Sequence, residues 1–76
     1  MNDGFVRARS EDFARRVMGT KRPVAYAFQL ALGRSATESE VMAATRFLSH
    51  HKGSTLEKWT DFCQTIFALN EFTYID

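Results

Sequence analysis

Seventy-six residues make one small domain, 1–76, or a piece of a larger one, and are too few for a two-domain enzyme. The apolar share of 45 % and charged share of 25 % are those of a globular chain, not a disordered one. A net charge of +1 gives no global field for recruiting nucleic acid, and a single cysteine excludes an internal disulfide framework and a thiolate zinc site.

The periodicity predicts four helices joined by short loops. The first spans about 5–18, with Val6, Phe13, Ala14, Val17 and Met18 as its apolar positions. Asp3 is its expected N-cap and Gly19 its stop. Glu11 and Asp12 each precede an arginine by four, Arg15 and Arg16, in the orientation that supports a helix. The second spans about 23–32. Pro23 suits a first helical position, and Val24, Ala27, Phe28, Ala31 and Leu32 form a stripe with Tyr26 and Leu30 on a second edge. Gly33 then fits the left-handed position that ends many helices.

Thr37 and Glu40 form a capping box that opens the third helix, about 38–51. Val41, Ala44, Thr45 and Leu48 are expected on one face, with Phe47 beside it, and Gly53 closes the segment. Ser54 and Glu57 repeat the capping pattern before the fourth helix, about 55–69. Its stripe is Trp59, Phe62, Cys63, Ile66 and Phe67, with Asn70 expected at its C-terminus. Residues 71–76 alternate apolar and polar and read as a last turn or an extended tail. The fold class is therefore all-α, a compact bundle of four short helices with a short C-terminal tail, in which sequential helices are neighbours.

Charge is uneven along the chain. Residues 1–22 carry six cations against three carboxylates, whereas residues 23–76 carry four against six. This reads as a solvated basic face on the first helix or as a contact stripe for an acidic partner. No apolar run approaches the ~18 residues of a membrane span, so no membrane insertion is expected. No N-terminal apolar stretch resembles a signal peptide.

No constellation carries evident chemistry. His50 and His51 are adjacent, about 100° apart on a helix, which is poor spacing for one metal. Cys63 lies on an apolar stripe and reads as a buried, inert thiol. There is no phosphate-binding glycine loop, haem attachment motif or metalloprotease His pair, so catalytic, cofactor and metal residues are expected to be none. The second and third helices superficially resemble a helix-turn-helix, but the third would present Glu38 and Glu40 to phosphates, which disfavours nucleic acid as partner. Arg34 reads as a solvated loop cation or as a structural clamp. The clamp, the favoured reading, holds backbone carbonyls or a carboxylate such as Glu71.

Several strings resemble a known family. Leu30-Ala31-Leu32-Gly33-Arg34, followed by Thr37 and Glu40, looks like its "LALGRxPTxxE". Asp61-Phe62-Cys63-Gln64, followed by Asn70-Glu71-Phe72, Tyr74, Ile75 and Asp76, resembles its terminal "DLCQALLNSNEFLYVD". Asn2-Asp3-Gly4-Phe5-Val6 is similar to its "NDPFV", and Phe13-Ala14-Arg15-Arg16-Val17 to its "FAERV". The resemblance is to the C-terminal segment of the planctomycete and cytophaga secreted-protein domain, a domain of unknown function in large exported proteins that often also carry a cytochrome-type domain. Ser35-Ala36 departs from the proline-containing joint of that family, and Gly4 from its proline. The resemblance implies an exported (periplasmic or cell-surface) setting and marks Gly33, Arg34, Thr37, Glu40, Asn70 and Glu71 as structural positions.

The resulting expectation is a non-enzymatic helical interaction or structural module. Its partner is the upstream region of a parent protein or a second copy. Phe5, Phe47, Phe72 and Tyr74 are the candidate interaction patch, or else they finish the core. Two other readings stand beside it: an accessory segment of an electron-transfer or enzyme assembly whose active groups lie upstream, and a helix-turn-helix-like nucleic-acid module.

Overall fold

A computed structural model describes residues 3–73, with side chains described for 4–69. Four helices follow in order: α1 Asp3–Met18, α2 Pro23–Leu32, α3 Glu38–His50 and α4 Thr55–Thr73. The all-α bundle is as expected, and no strand occurs among the described residues. The Cα radius of gyration, 11.9 Å, is close to the ~11.4 Å of a compact chain of this length.

Local signals set most boundaries. Pro23 opens α2, and Gly33 ends it at φ 69°, ψ 22°, its N–H bonded to the Gln29 carbonyl at 2.9 Å. That left-handed conformation is cheap for glycine and strained for a side chain. Both capping boxes form. Thr37 Oγ1 accepts from the Glu40 N–H at 3.1 Å while Glu40 Oε1 accepts from the Thr37 N–H at 2.8 Å. Ser54 Oγ and the Glu57 carboxylate exchange the same pair of bonds at 3.1 Å each.

Three boundaries differ from expectation. α1 already includes Asp3, so that residue is not a cap outside the helix. α3 stops at His50, and His51 is the extended C-cap at φ −73°, ψ 129°. α4 runs past Asn70 to Thr73, so Glu71 and Phe72 belong to the helix and not to a tail. The rest of the expected tail, Tyr74 included, lies outside the described residues.

Sequential helices do touch, but the main packing joins α1 to α4, the two ends of the chain, and α4 also contacts α2 and α3. Ser10, Ala14 and Val17 of α1 and Thr60, Cys63 and Ile66 of α4 are all buried. Phe13 and Phe67 meet edge to face at 4.9 Å between ring centres. Thr60 satisfies its buried hydroxyl on the Leu56 carbonyl at 2.6 Å. Ser10 Oγ, equally buried, has no hydrogen-bond partner among the described residues.

Phe62 is the hub of the other half of the core. Its ring meets those of Trp59, Phe28 and Phe47 at 5.5, 6.3 and 6.4 Å, tying α4 to α2 and α3. Truncating such a ring costs about 3–5 kcal/mol, a large part of a small domain's stability.

The face of α3 that packs is rotated from the expected one. Ala44 is buried and Leu48 half-buried, but Val41 and Thr45 face solvent, and Phe47 turns toward the Phe62 ring. Val41 remains 41 % exposed and Met42 59 %.

Candidate functional site

An apolar groove of about 230 Å³ runs between α3 and α4, with Phe28, Ala44, Phe62 and Ile66 along it and Phe47 and Leu69 at its open edges. α3 is thin where it crosses α4, because Ala43 and Ala44 stand where larger side chains would close the gap. Phe47 is the crest of this region, 39 % exposed and shared by the groove and two shallower clefts beside it.

One end of the groove is shaped by the α2–α3 joint. Arg34 donates to both oxygens of Glu40, Nη1 to Oε1 and Nη2 to Oε2 at 2.8 Å each, and to the Ser35 carbonyl at 3.0 Å. Its guanidinium carbon lies 6.0 Å from the Phe28 ring centre. The clamp reading of Arg34 therefore describes the geometry, with Glu40 as its carboxylate. The side chain of Glu71, the carboxylate expected from the sequence, lies outside the described residues. The Arg34 hydrogen bonds, followed by the Thr37 N–H, hold the Glu40 carboxyl down at about 2, and the pairing raises Arg34 in turn.

On the other side of Phe47 lies a polar cluster that sequence spacing did not reveal. His51 Nε2 lies 2.7 Å from Asp61 Oδ2, and His51 Nδ1 accepts from the Gly53 N–H at 2.9 Å. Because Nδ1 accepts, the ring proton sits on Nε2 and points at Asp61. Asp61 Oδ1 pairs with Arg7 of α1, which also donates to Gln64 Oε1 at 3.2 Å. His51 first, then Arg7, hold the Asp61 carboxyl below its ordinary value. The Phe47 ring lies 5.7 Å from the His51 ring, edge-on.

This cluster has the look of a His–Asp dyad, but both ring nitrogens are occupied and both carboxylate oxygens are taken. A general base needs a free nitrogen aimed at a substrate proton. The arrangement ties the α3–α4 joint and α1 to one point on α4. Gly53 is part of it: a Cβ there would stand 2.7 Å from His51 Cε1.

Cys63 is fully buried, and burial pushes its thiol up to about 12. Among the described residues no group of three His, Cys, Asp or Glu side chains lies together as a metal site would need. No described helix is long and apolar enough to cross a membrane.

The candidate patch is only partly placed. Phe5 is 59 % exposed on α1, stacked under Arg9 at 5.7 Å, and no ring contact joins it to Phe47 among the described residues. Phe72 and Tyr74 fall outside the described side chains. Of the other exposed large apolar residues, Val41, Met42 and Leu69 lie around α3 and the groove, and Leu30 lies on α2. On α1, Glu11 pairs with Arg15 at 2.7 Å as expected, while Asp12 lies 3.5 Å from Arg15, the cation three positions on.

No family model, curated protein or solved structure matches the chain.

Proposed function

We propose that this chain is a non-enzymatic helical interaction module that takes an apolar helix face of a protein partner in the α3–α4 groove. The observation that carries this reading is the groove itself, apolar along its floor and edged by the half-exposed rings and chains of Phe47 and Leu69. A lone domain gains by burying such side chains, and helix-in-groove recognition buries them against spaced apolar anchors. The chain's reactive groups support the same reading. His51, Asp61 and Glu40 are committed to internal partners, and Cys63 is buried. The family resemblance adds a setting, the closing segment of a larger exported protein whose upstream region would supply the partner helix.

Panning a phage-displayed library of helical peptides on the folded domain tests it. The expected winners carry apolar residues at i, i+3 or i+4, and i+7, and lose about tenfold or more in affinity on Phe47→Glu, with circular dichroism confirming that the variant folds. No enrichment, or binding indifferent to Phe47→Glu, overturns the reading.

A further inference from the structure

The face of α3 turned away from the groove carries its own pattern. Glu38, Val41, Met42, Thr45, Arg46 and Ser49 are all exposed and recur at helical spacing of three and four. Val41, Met42, Thr45, Arg46 and Ser49 surround a shallow depression. The hydroxyls on this face are already satisfied: Thr45 Oγ1 donates to the Val41 carbonyl at 2.8 Å and Ser49 Oγ to the Thr45 carbonyl at 2.7 Å. Covering them with protein therefore strands no donor. The charges are polarised, with Glu38 at the N-terminal end and Arg46 and His50 toward the C-terminal end. Neither Glu38 nor Arg46 has an ion-pair partner among the described residues.

We infer that this face binds a second copy of the chain, α3 against α3 and antiparallel about a two-fold axis at Met42. Met42 lies four residues from Glu38 and four from Arg46. In the antiparallel pairing each Glu38 therefore meets the partner's Arg46 while the two Met42 side chains pack on each other. A parallel pairing sets Glu38 against Glu38 and Arg46 against Arg46 and aligns the helix dipoles, all unfavourable. An isologous interface requires a self-complementary patch, and a helix face of reversed charge at its two ends supplies one. The contact is short, because thirteen residues span about 20 Å, so the association is weak. It shares the idea of an interaction module with the proposal above but uses the opposite face of α3, so either can fail alone.

Sedimentation equilibrium up to about 1 mM protein tests it, with thermal melts at low concentration as a check on folding. The parent protein is expected to dimerise, less tightly in about 0.5 M salt. Met42→Glu is expected to be monomeric with the parent's melt. Glu38→Arg and Arg46→Glu are each expected to weaken the dimer about tenfold or more alone, and an equimolar mixture of the two variants to restore it, because opposite charges then meet at both ends. Phe47→Glu should leave the dimer intact. A monomer at every concentration, a dimer indifferent to Met42→Glu, or a mixture no tighter than the single variants overturns the proposal. Loss of the dimer in Phe47→Glu alone also overturns it and moves the self-contact to the groove.

Discussion

Arg34 and Glu40, six positions apart across the α2–α3 joint, are held by two parallel hydrogen bonds of 2.8 Å, and the same carboxylate closes the capping box on the Thr37 N–H. One side chain thus starts α3 and anchors the loop that precedes it. The guanidinium fork matches the carboxylate in a way that an ammonium cannot.

Arg34→Lys is therefore expected to lower stability even though charge is kept. The pair is substantially exposed, so water screens it and the expected loss is no more than a few degrees in Tm. A calorimetric melt of the two proteins decides it, and equal Tm values would show that the second hydrogen bond contributes nothing.

Acid should loosen the same joint. The Glu40 carboxyl titrates at about 2 in the fold against an ordinary 4.5. Its folded value is depressed, so the stability it contributes is fully present above about 4.5 and is lost as pH falls toward 2. Asp61, held down by His51 and Arg7, and Glu57, held down by the Ser54 N–H and hydroxyl, act in the same direction. Melting temperature should decline between about pH 5 and pH 2, and Glu40→Gln should start lower at neutral pH and decline less. A Glu40→Gln profile parallel to that of the parent would count against the linkage.

Gly53 is constrained by its neighbours and not by its backbone angle. A Cβ there would meet His51 Cε1 at 2.7 Å, His51 Nδ1 at 3.1 Å and Glu57 Cβ at 3.2 Å. Gly53→Ala should displace the His51 ring from Asp61 and cost about 1–2 kcal/mol. In a His51→Ala background the same change should cost clearly less, because two of the three close contacts are gone. Urea melts of the four proteins in this cycle check it; additive costs would mean that the imidazole moves aside freely.

Features written within one turn of helix were readable in the residues alone. Pro23, Gly33 and the Thr37/Glu40 and Ser54/Glu57 pairs act on backbone groups three or four positions away, at distances set by helix geometry whatever the rest of the chain does. They located the four helices and the all-α class. Asn70 misled because a polar residue suited to a helix end does not oblige the helix to end there. Val41 and Thr45 misled because α3 carries apolar residues on more than one side. Only packing against Phe62 selected the line of Ala44, Phe47 and Leu48 for the interior. The Arg7–Asp61–His51 cluster was illegible for a related reason. Arg7 and Asp61 lie 54 positions apart, and nothing local brings them together. The α1–α4 packing does so, and it depends on how helices cross, which stripes of apolar residues do not specify. Composition and spacing determined which helices form and where α2, α3 and α4 start. The tertiary structure alone decided which polar groups pair across them, and which apolar side chains of α3 stay exposed.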